Sequence, residues 1–349
     1  MLYDVDQLKI LNDNLLNNTF SSALLKDINE NCKILNSDFY LDSFNYIPIT
    51  KKNETFLELF KRDDGNSLNH FYTQDFYKNF STEKKNFKLI SNAMILGSSP
   101  SDNYFSNLIY FFPRMFFLHK SKLNLVIHRN LSNKFRNFVK TISQMRDIDV
   151  KFTFIDDGFY NFEKSSIPQF FNINKSIKIL RYFLSKVLKD VKTPEFRPKI
   201  YIRREDSNYR RILNEADLIE KLRKNDFEII NPNHFEILEQ MKIFSNAKFI
   251  ISPLGSNLTN LIFCNEEVKI IEIAPELTSG YEKNISLRYK RIANLLNLKF
   301  TQIIADSVNV DKHSEIAKKY INSNFLNNSN YYKNMILKVS EIDNIFNNQ

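Results

Sequence analysis

The sequence predicts an α/β protein with two Rossmann-like domains that face each other across a cleft. Two blocks, residues 90–156 and 198–306, alternate short apolar strands with helices, which is typical of parallel sheets covered by helices. A basic connector that contains prolines, 185–198, separates them. The chain has 349 residues, more than one hydrophobic core usually supports. We therefore expect an N-terminal domain over 1–190 and a C-terminal domain over 191–311.

Apolar runs and helical periodicity define the elements of the first block. The predicted strands are 92–97, 122–128 and 150–156, and the predicted helices are 104–119 and 132–145. Pro113 interrupts the first of these helices. Residues 1–90 show less periodicity, and we expect them to add peripheral helices to the first domain.

The second block repeats the pattern with five strands. These are 198–204, 227–231, 248–253, 268–273 and 300–305. The helix predicted over 214–225 begins at Asn214, a favourable N-cap, and has acids in its first turn. Asn233 and Glu236 resemble a capping box at the start of the next helix. The tail, 312–349, is predicted as helices, and whether they return to the N-terminal domain is left open.

The charge of the chain bears on its partners. The formal net charge is +9 and the pI is near 9.2, which favours anionic partners. A solvated lysine-rich surface explains the charge equally well. A basic nucleic-acid-binding protein is another alternative, because phosphate contacts and base stacking use basic and aromatic residues. The sequence contains no helix-turn-helix, RRM or zinc-finger signature, so we expect no nucleic acid partner.

The expected location is the cytoplasm. Cys32 and Cys264 are too few for a disulfide framework, and the first residues form no secretory signal. The longest apolar run, 107–118, is too short to span a bilayer. The basic surface and the aromatic-rich segment 104–118 also allow peripheral contact with an anionic membrane at the inner face of the plasma membrane. A buried helix explains that segment better.

Arginines gather where the first strand of the second block ends, and open α/β sheets bind ligands at such ends. Guanidinium groups suit phosphate oxygens, and a helix N-terminus adds a favourable field. The sequence therefore predicts a phosphate site, with a solvated loop as the alternative. The four arginines are Arg203, Arg204, Arg210 and Arg211.

A second polar cluster follows the strand 248–253 in the stretch ISPLGSNLTNLIFC. Gly255, one of five glycines in the chain, allows a tight turn and close approach of a ligand. The amides that lead into a predicted helix, 257–264, can then hold an anion. A plain turn with a helix cap is the alternative. The polar candidates are Ser252, Ser256, Asn257, Thr259 and Asn260.

The third candidate is Glu272, near the end of the strand 268–273. A carboxylate at this position can bind both hydroxyls of a ribose, and a solvated strand-end acid is the alternative. Arginines after one strand, a glycine turn after another and an acid after the next together describe a nucleotide-diphosphate pocket.

The order of these motifs resembles glycosyltransferase family 61. In the stretches YIRRED, YRRILNE, LEQMKIFSNAKFIISPLGSNLTNLIFC and VKIIEI, the matching residues are Arg204, Asp206, Arg210, Arg211, Asn214, Glu215, Gly255, Leu258, Thr259, Asn260 and Glu272. The stretch DNYFSNLIYFFPRMFFL is similar to another segment of the family through Asn103, Tyr104, Leu108, Pro113 and Arg114. The chain departs from the family's histidine-containing patterns at Ser106, Asn107, Leu254, Ser256 and Asn257.

The resemblance implies a GT-B fold with a nucleotide-sugar donor held by the C-terminal domain, and usually inversion without a metal. It also implies a glycan or lipid-linked glycan acceptor, in bacteria a capsule or lipopolysaccharide. The sequence has no Asp-x-Asp motif after a strand in a nucleotide-binding context. We therefore expect no cofactor and no metal, with arginines stabilising the leaving diphosphate. A family member that binds a sugar nucleotide without turnover is the alternative.

An inverting transferase needs one base that deprotonates the acceptor hydroxyl. We expect this base at a strand end of the first block, on the opposite wall of the predicted cleft. Asp102 is the first candidate, followed by Asp157 and His128. A surface cap is the alternative role for each of them.

Overall fold

The computed structural model of the protein describes residues 4–5, 8–11, 19–20, 32–44, 46–60, 62, 80, 86–99, 101–117, 122–193, 195–205, 207–277, 280–311, 313–321 and 323–347. The chain divides into two compact units, Met1–Phe183 and Leu184–Gln349. Each unit combines parallel strands with helices, which confirms the α/β class. The expectation that two domains face each other across a cleft stays a prediction.

Strands dominate the described part of the first unit. In chain order they are β1 (Asp4–Val5), β2 (Leu8–Leu11), β3 (Thr19–Phe20), β4 (Cys32–Asp42), β5 (Ile47–Thr50), β6 (Glu54–Phe56), β7 (Lys88–Ser91), β8 (Met94–Ile95), β9 (Lys122–His128), β10 (Asp149–Ile155) and β11 (Phe159–Pro168). The larger sheet has the order β10-β9-β8-β11-β4-β3, with β5 paired to β4 and β7 paired to β11. Its strands β10, β9, β8 and β11 run parallel, as the alternating pattern predicted.

The prediction of peripheral helices over residues 1–90 is wrong for the described residues between 32 and 56, which form β4, β5 and β6. β4 is 11 residues long and pairs antiparallel with β11, a strand that the sequence analysis missed. The register of that pair shifts between Phe162 and Ser165, and Lys164 has a φ of 46°. Such a bulge interrupts the alternation of side chains that identifies a strand in a sequence.

The described helices of the first unit are α1 (Tyr104–Ser106), α2 (Asn133–Gln144) and α3 (Ile173–Val187). α1 continues as a π-helical turn, Asn107–Phe111, and then as a 3-10 turn, Phe112–Phe117. The change of helix type coincides with Pro113, whose nitrogen cannot donate a hydrogen bond. The segment is buried from Asn107 to Phe116, which agrees with the interpretation as a buried helix. No helix within the described residues is long and apolar enough to cross a membrane.

The second unit contains one six-stranded sheet. Its strands are β12 (Lys199–Ile202), β13 (Glu228–Ile230), β14 (Phe249–Pro253), β15 (Lys269–Pro275), β16 (Lys299–Val308) and β17 (Asn334–Ile336). The order is β13-β12-β14-β15-β16-β17, and all neighbours are parallel except β16 and β17. The first five strands are those that the sequence predicted.

The described helices of the second unit are α4 (Glu215–Lys224), α5 (Ile237–Asn246), α6 (Gly280–Ser286), α7 (Arg288–Leu295), α8 (Glu315–Tyr320), α9 (Ser323–Asn328) and α10 (Ser340–Asn347). Where an α-helix was expected over 257–264, a 3-10 helix, Ser256–Phe263, follows β14. The tail forms helices, as predicted, and also β17, which was missed. Met335 and Ile342 of the tail lie in the core of this unit with Tyr201 and Leu218. The tail therefore packs on the second sheet.

Two predicted helix caps are wrong in detail. Asn214 is the residue before α4, but its side chain does not cap that helix. Instead its amide donates to the carbonyl of Leu337 at 2.8 Å and accepts from the Leu337 amide at 3.0 Å. The capping box of α5 involves Glu236 and Glu239, because the Glu236 amide donates to the Glu239 carboxylate at 2.7 Å. Asn233 belongs to the preceding 3-10 turn, Pro232–His234.

Candidate anion site at the carboxyl edge of the second sheet

The alternation of side chains along β12 and the residues that follow it separates two of the four arginines. Tyr201 and Arg203 lie on one face, where both bind Glu215 at the start of α4. The Tyr201 hydroxyl donates to Glu215 Oε1 at 2.8 Å, and Arg203 donates through Nη2 to Oε2 at 2.9 Å. Arg203 also forms an ion pair with Glu205. Arg203 and Glu215 therefore neutralise each other within the protein.

Arg204 approaches Gly255, and this contact explains why a glycine stands there. A Cβ atom added at Gly255 would lie 2.4 Å from Arg204 Nη1. Gly255 has a φ of −176°, which any residue can adopt, so the reason for glycine is space and not backbone conformation. The Nε atom of Arg204 donates to the carbonyl of Tyr209 at 3.1 Å, which holds the guanidinium in this position.

Arg210 is 4% exposed and has a φ of 58°. Its guanidinium carbon lies 3.9 Å from the ring centroid of Tyr331 and 4.9 Å from that of Tyr209. The Nε and Nη1 atoms are buried and have no hydrogen-bond partner in the described part of the chain. Buried donors are normally paired, so this edge of the guanidinium suits an anionic ligand.

Glu272 on β15 is completely buried. Its Oε2 atom accepts from Gln302 Nε2 at 2.7 Å, and Oε1 has no hydrogen-bond partner among the described residues. Burial raises the pKa of Glu272 to about 8, although Gln302 and Arg210 act in the opposite direction. The carboxyl group is therefore mainly protonated at neutral pH, and a protonated carboxyl can both donate to and accept from a hydroxyl.

The charges around these residues are predominantly positive. Burial, followed by repulsion from Arg210, lowers the pKa of Arg204 to about 10. Burial alone would raise the pKa of Tyr331, but Arg210, Arg288 and Arg204 outweigh it and lower that pKa. We call Arg204, Arg210 and Arg288 together with Tyr209 and Tyr331 the cationic cluster. Arg288, at the start of α7, and Tyr331 were missed because they lie far along the chain from the arginine motif.

The other residues of the glycine stretch are engaged within their own helix or core. Ser252 donates to the carbonyl of Pro253 at 2.9 Å, and Thr259 donates to that of Ser256 at 2.6 Å. Asn260 is fully buried and donates to Gln240 at 3.4 Å. Leu258 is also buried, whereas Ser256 and Asn257 at the start of the 3-10 helix are partly exposed. Of this set, Ser256 and Asn257 are the side chains that solvent reaches.

In the structure Arg204 lies against Gly255, and Arg210 is close enough to Glu272 to act on its pKa. Other predicted site residues lie elsewhere. Arg203, Arg211 and Glu215 line a groove of about 730 Å³ whose lining does not include Arg204 or Arg210. Asn214 is tied to Leu337. Asp206 lies outside the described residues.

In the first unit, His128 and Asp157 form a hydrogen-bonded pair at the end of β9 and just beyond β10. The Asn130 amide donates to His128 Nδ1 at 3.1 Å, so the proton of the neutral ring lies on Nε2. Nε2 then donates to Asp157 Oδ1 at 3.1 Å. His128 is 2% exposed. Both ring nitrogens are engaged, and the carboxylate of Asp157 is the more accessible member of the pair.

Asp102 follows β8 and has a φ of 50°. Its Oδ1 atom accepts from the side-chain amide of Asn107 at 3.0 Å, while the oxygen of that amide accepts from the backbone of Ser99 at 2.7 Å. Burial raises the pKa of Asp102, although hydrogen bonds from Ser132 and Asn107 reduce the shift. A raised pKa suits a carboxylate that takes up a proton. Asn107, one of the departures from the family's pattern, thus orients this carboxylate.

Arg114, another residue of the resemblance, has a role inside the core. It is fully buried, and its Nη1 and Nη2 atoms donate to the carbonyls of Leu96 at 3.1 Å and Leu59 at 3.3 Å. Its guanidinium carbon lies 3.7 Å from the ring centroid of Phe170. Burial lowers the pKa of Arg114 to about 9. These contacts fasten the loop after β8 to the core.

The protein has an α/β fold, and an arginine-rich cluster that suits an anion follows the parallel strands of its second sheet. The sequence profile of the family described as Glycosyltransferase 61 matches residues 56–271, which is more than half of the chain. The chain belongs to glycosyltransferase family 61 and is a glycosyltransferase. No curated protein matches its sequence. Arg288 and Tyr331 of the cationic cluster lie beyond the matched residues.

Proposed function

We propose that the chain transfers a sugar from a nucleoside-diphosphate donor with inversion and without a metal. The diphosphate binds Arg204, the Nε and Nη1 atoms of Arg210, and the amides that follow Gly255. The buried and unpaired edge of Arg210 is the observation that carries this proposal. Positive charge that is held in place before the reaction stabilises the leaving diphosphate, as a metal ion does in other transferases.

The nucleoside in this proposal lies over Glu272. The carboxyl group of Glu272 has one oxygen without a partner among the described residues, and it is mainly protonated. It can therefore both donate to and accept from the two neighbouring hydroxyls of a ribose. Gln302 holds the other oxygen and fixes the orientation of the group.

The acceptor base belongs to the first unit. Asp102 is the first candidate because its raised pKa and its hydrogen bond from Asn107 suit proton uptake. Asp157 is the second candidate, with His128 as its hydrogen-bonding partner. The acceptor is a glycan or a lipid-linked glycan of a bacterial capsule or lipopolysaccharide, and the enzyme acts in the cytoplasm or at the inner face of the plasma membrane. The family and the basic charge support this choice.

Calorimetry with a panel of UDP-, GDP- and CMP-sugars tests donor binding. We expect saturable binding of a nucleoside-diphosphate sugar. Arg204→Ala and Arg210→Lys each lose a charge-assisted hydrogen bond, which weakens binding about tenfold or more. Arg223→Ala, an exposed arginine of α4, is the matched control and binds as the wild type does.

The proposal fails if no donor binds, or if the Arg204 and Arg210 variants bind as tightly as the control. Release of free nucleotide in the presence of glycan acceptors separates a working transferase from a member that only binds the donor. In the same assay, Asp102→Asn is expected to keep donor binding and lose transfer.

A further inference from the structure

The C-terminal segment Asn330–Leu337 runs along the loop that carries Arg210. Four backbone amides link the two stretches: Arg210 N donates to the Lys333 carbonyl at 2.7 Å, Arg211 N to Asn334 Oδ1 at 3.1 Å, Leu213 N to the Met335 carbonyl at 2.8 Å, and Met335 N to the Arg211 carbonyl at 2.8 Å. The segment is therefore a fixed neighbour of the arginine loop, although it lies more than a hundred residues further along the chain.

The C-terminal segment helps to hold the backbone conformation of Arg210. A φ of 58° is uncommon for a residue with a side chain, and surrounding contacts have to hold it. The hydrogen bond from Arg210 N to Lys333 supplies one such contact. In this conformation the Arg210 residue is buried in the second unit, with 4% of its surface exposed.

Tyr331 packs its ring on the guanidinium of Arg210 at 3.9 Å, the shorter of the two ring contacts of this arginine. A ring against the flat face of a guanidinium leaves its edge for hydrogen bonds, and Nε and Nη1 on that edge have no partner in the described chain. The stacked ring also removes rotamer freedom from a long side chain before any ligand binds, which lowers the entropy lost on binding.

Positive charge surrounds the hydroxyl of Tyr331, which also forms a hydrogen bond with Arg210. Arg210, Arg288 and Arg204 all act on its hydroxyl and lower its pKa against the effect of burial. Arg204 and Arg210 belong to one loop and Arg288 begins α7, so Tyr331 lies where two separate stretches of the chain converge. The ring at the point of convergence is well placed to hold one of these arginines.

We propose that Tyr331 is a positioning residue of the donor site, which holds the Arg210 guanidinium by its ring and directs Nε and Nη1 to the anion. The inference rests on the proposed function. It extends the donor site to a C-terminal segment outside residues 56–271, the part of the chain that the family profile matches.

Binding of inorganic pyrophosphate, measured by calorimetry, tests this role with two variants. Tyr331→Phe keeps the ring and loses only the hydrogen bond between its hydroxyl and Arg210, so it is expected to bind within about threefold of the wild type. Tyr331→Leu removes the ring as well and is expected to bind about tenfold more weakly. Phe325→Leu is the control. Phe325 packs on Tyr332 of the same segment, with ring centroids 5.7 Å apart, and its loss disturbs the local core with pyrophosphate affinity unchanged.

A double-mutant cycle with Arg210→Lys separates positioning from a general structural effect. If Tyr331 acts through Arg210, Tyr331→Leu weakens binding by less than about threefold in the Arg210→Lys background. If Tyr331→Leu weakens pyrophosphate binding equally in both backgrounds, or if it binds as tightly as the wild type, the inference is overturned while the proposed function stands. Absence of pyrophosphate binding by the wild type overturns it together with the proposed function. If Tyr331→Leu lowers the melting temperature more than Phe325→Leu does, Tyr331→Met takes the place of Tyr331→Leu in the double-mutant cycle.

Discussion

Arg210 and Glu272 are buried side chains whose hydrogen-bonding capacity is only partly used within the described chain. Stability alone does not favour such groups, because each unpaired buried polar atom costs free energy. Arg210 follows β12, and Glu272 lies within the carboxyl-terminal half of β15. Burial raises the pKa of Glu272, and the positive charge of Arg210 opposes that rise. Their local cost is consistent with selection for a ligand that pairs with both.

Glu272 gives a prediction for the pH dependence of stability. Burial raises its folded pKa from 4.5 to about 8, so the folded state keeps a proton that the unfolded chain releases. Stability therefore falls as the pH rises from about 4.5 to about 8, by about 5 kcal/mol in all. Glu272→Gln removes this loss. Urea unfolding of both proteins at pH 6 and pH 9 measures the part of the loss above pH 6, which is about 3 kcal/mol.

Glu276→Gln is the control for this comparison, because Glu276 is exposed and lies just beyond the same strand. It is expected to follow the wild type. Identical pH dependence in the Glu272→Gln variant and the wild type would show that the Glu272 carboxyl is ionised at low cost in the folded protein.

The turn between β14 and the 3-10 helix Ser256–Phe263 is the element that brings the arginine motif and the glycine stretch together. Its glycine makes room for Arg204, and the helix that follows begins with partly exposed Ser256 and Asn257. The geometry depends on one missing Cβ atom.

Gly255→Ala tests that dependence. The new methyl group would lie 2.4 Å from Arg204 Nη1 and 3.7 Å from the Pro253 carbonyl oxygen, so it is the flexible guanidinium that has to move. We expect donor affinity to fall about tenfold through the lost hydrogen bond, with little change in melting temperature. Gly280→Ala, where an added Cβ meets nothing within 4 Å, serves as the control. A Gly255→Ala variant that binds donor normally contradicts the proposed role of the turn.

Sequence patterns predict elements well where one physical signal controls them. β12, β14 and β15 were predicted because they are short, mostly buried apolar runs, which buried parallel strands require. β11 and β17 were missed because a bulge and a three-residue length hide the alternation. The hydrogen bond from Asn214 to Leu337 was missed because the two residues are distant in sequence.

The same limit applies to the site. The arginine motif and Gly255 could be predicted because strand ends in α/β sheets bind ligands, and a scarce glycine beside a strand stands out. The division between Arg203, which binds Glu215, and Arg204, which meets Gly255, depends on which face of the sheet each side chain takes. Arg288 and Tyr331 join the cluster through tertiary packing, and no local pattern identifies them.

The molecule as a whole has two compact units, each with a mixed sheet that contains several parallel strands, and candidate groups follow or lie in those strands. The second unit holds the cationic cluster, and the first holds Asp102 and the Asp157–His128 pair. An inverting glycosyltransferase needs both a donor site and a base. In our proposal the second unit supplies the donor site and the first unit supplies the base.

A crystal structure of the protein with UDP, or with whichever nucleoside diphosphate binds most tightly, tests the central claim most directly. We predict diphosphate oxygens within hydrogen-bonding distance of Arg204 and of Nε and Nη1 of Arg210, with the ribose at Glu272. A diphosphate bound in the groove lined by Arg203 and Arg211, away from Gly255, would contradict the account.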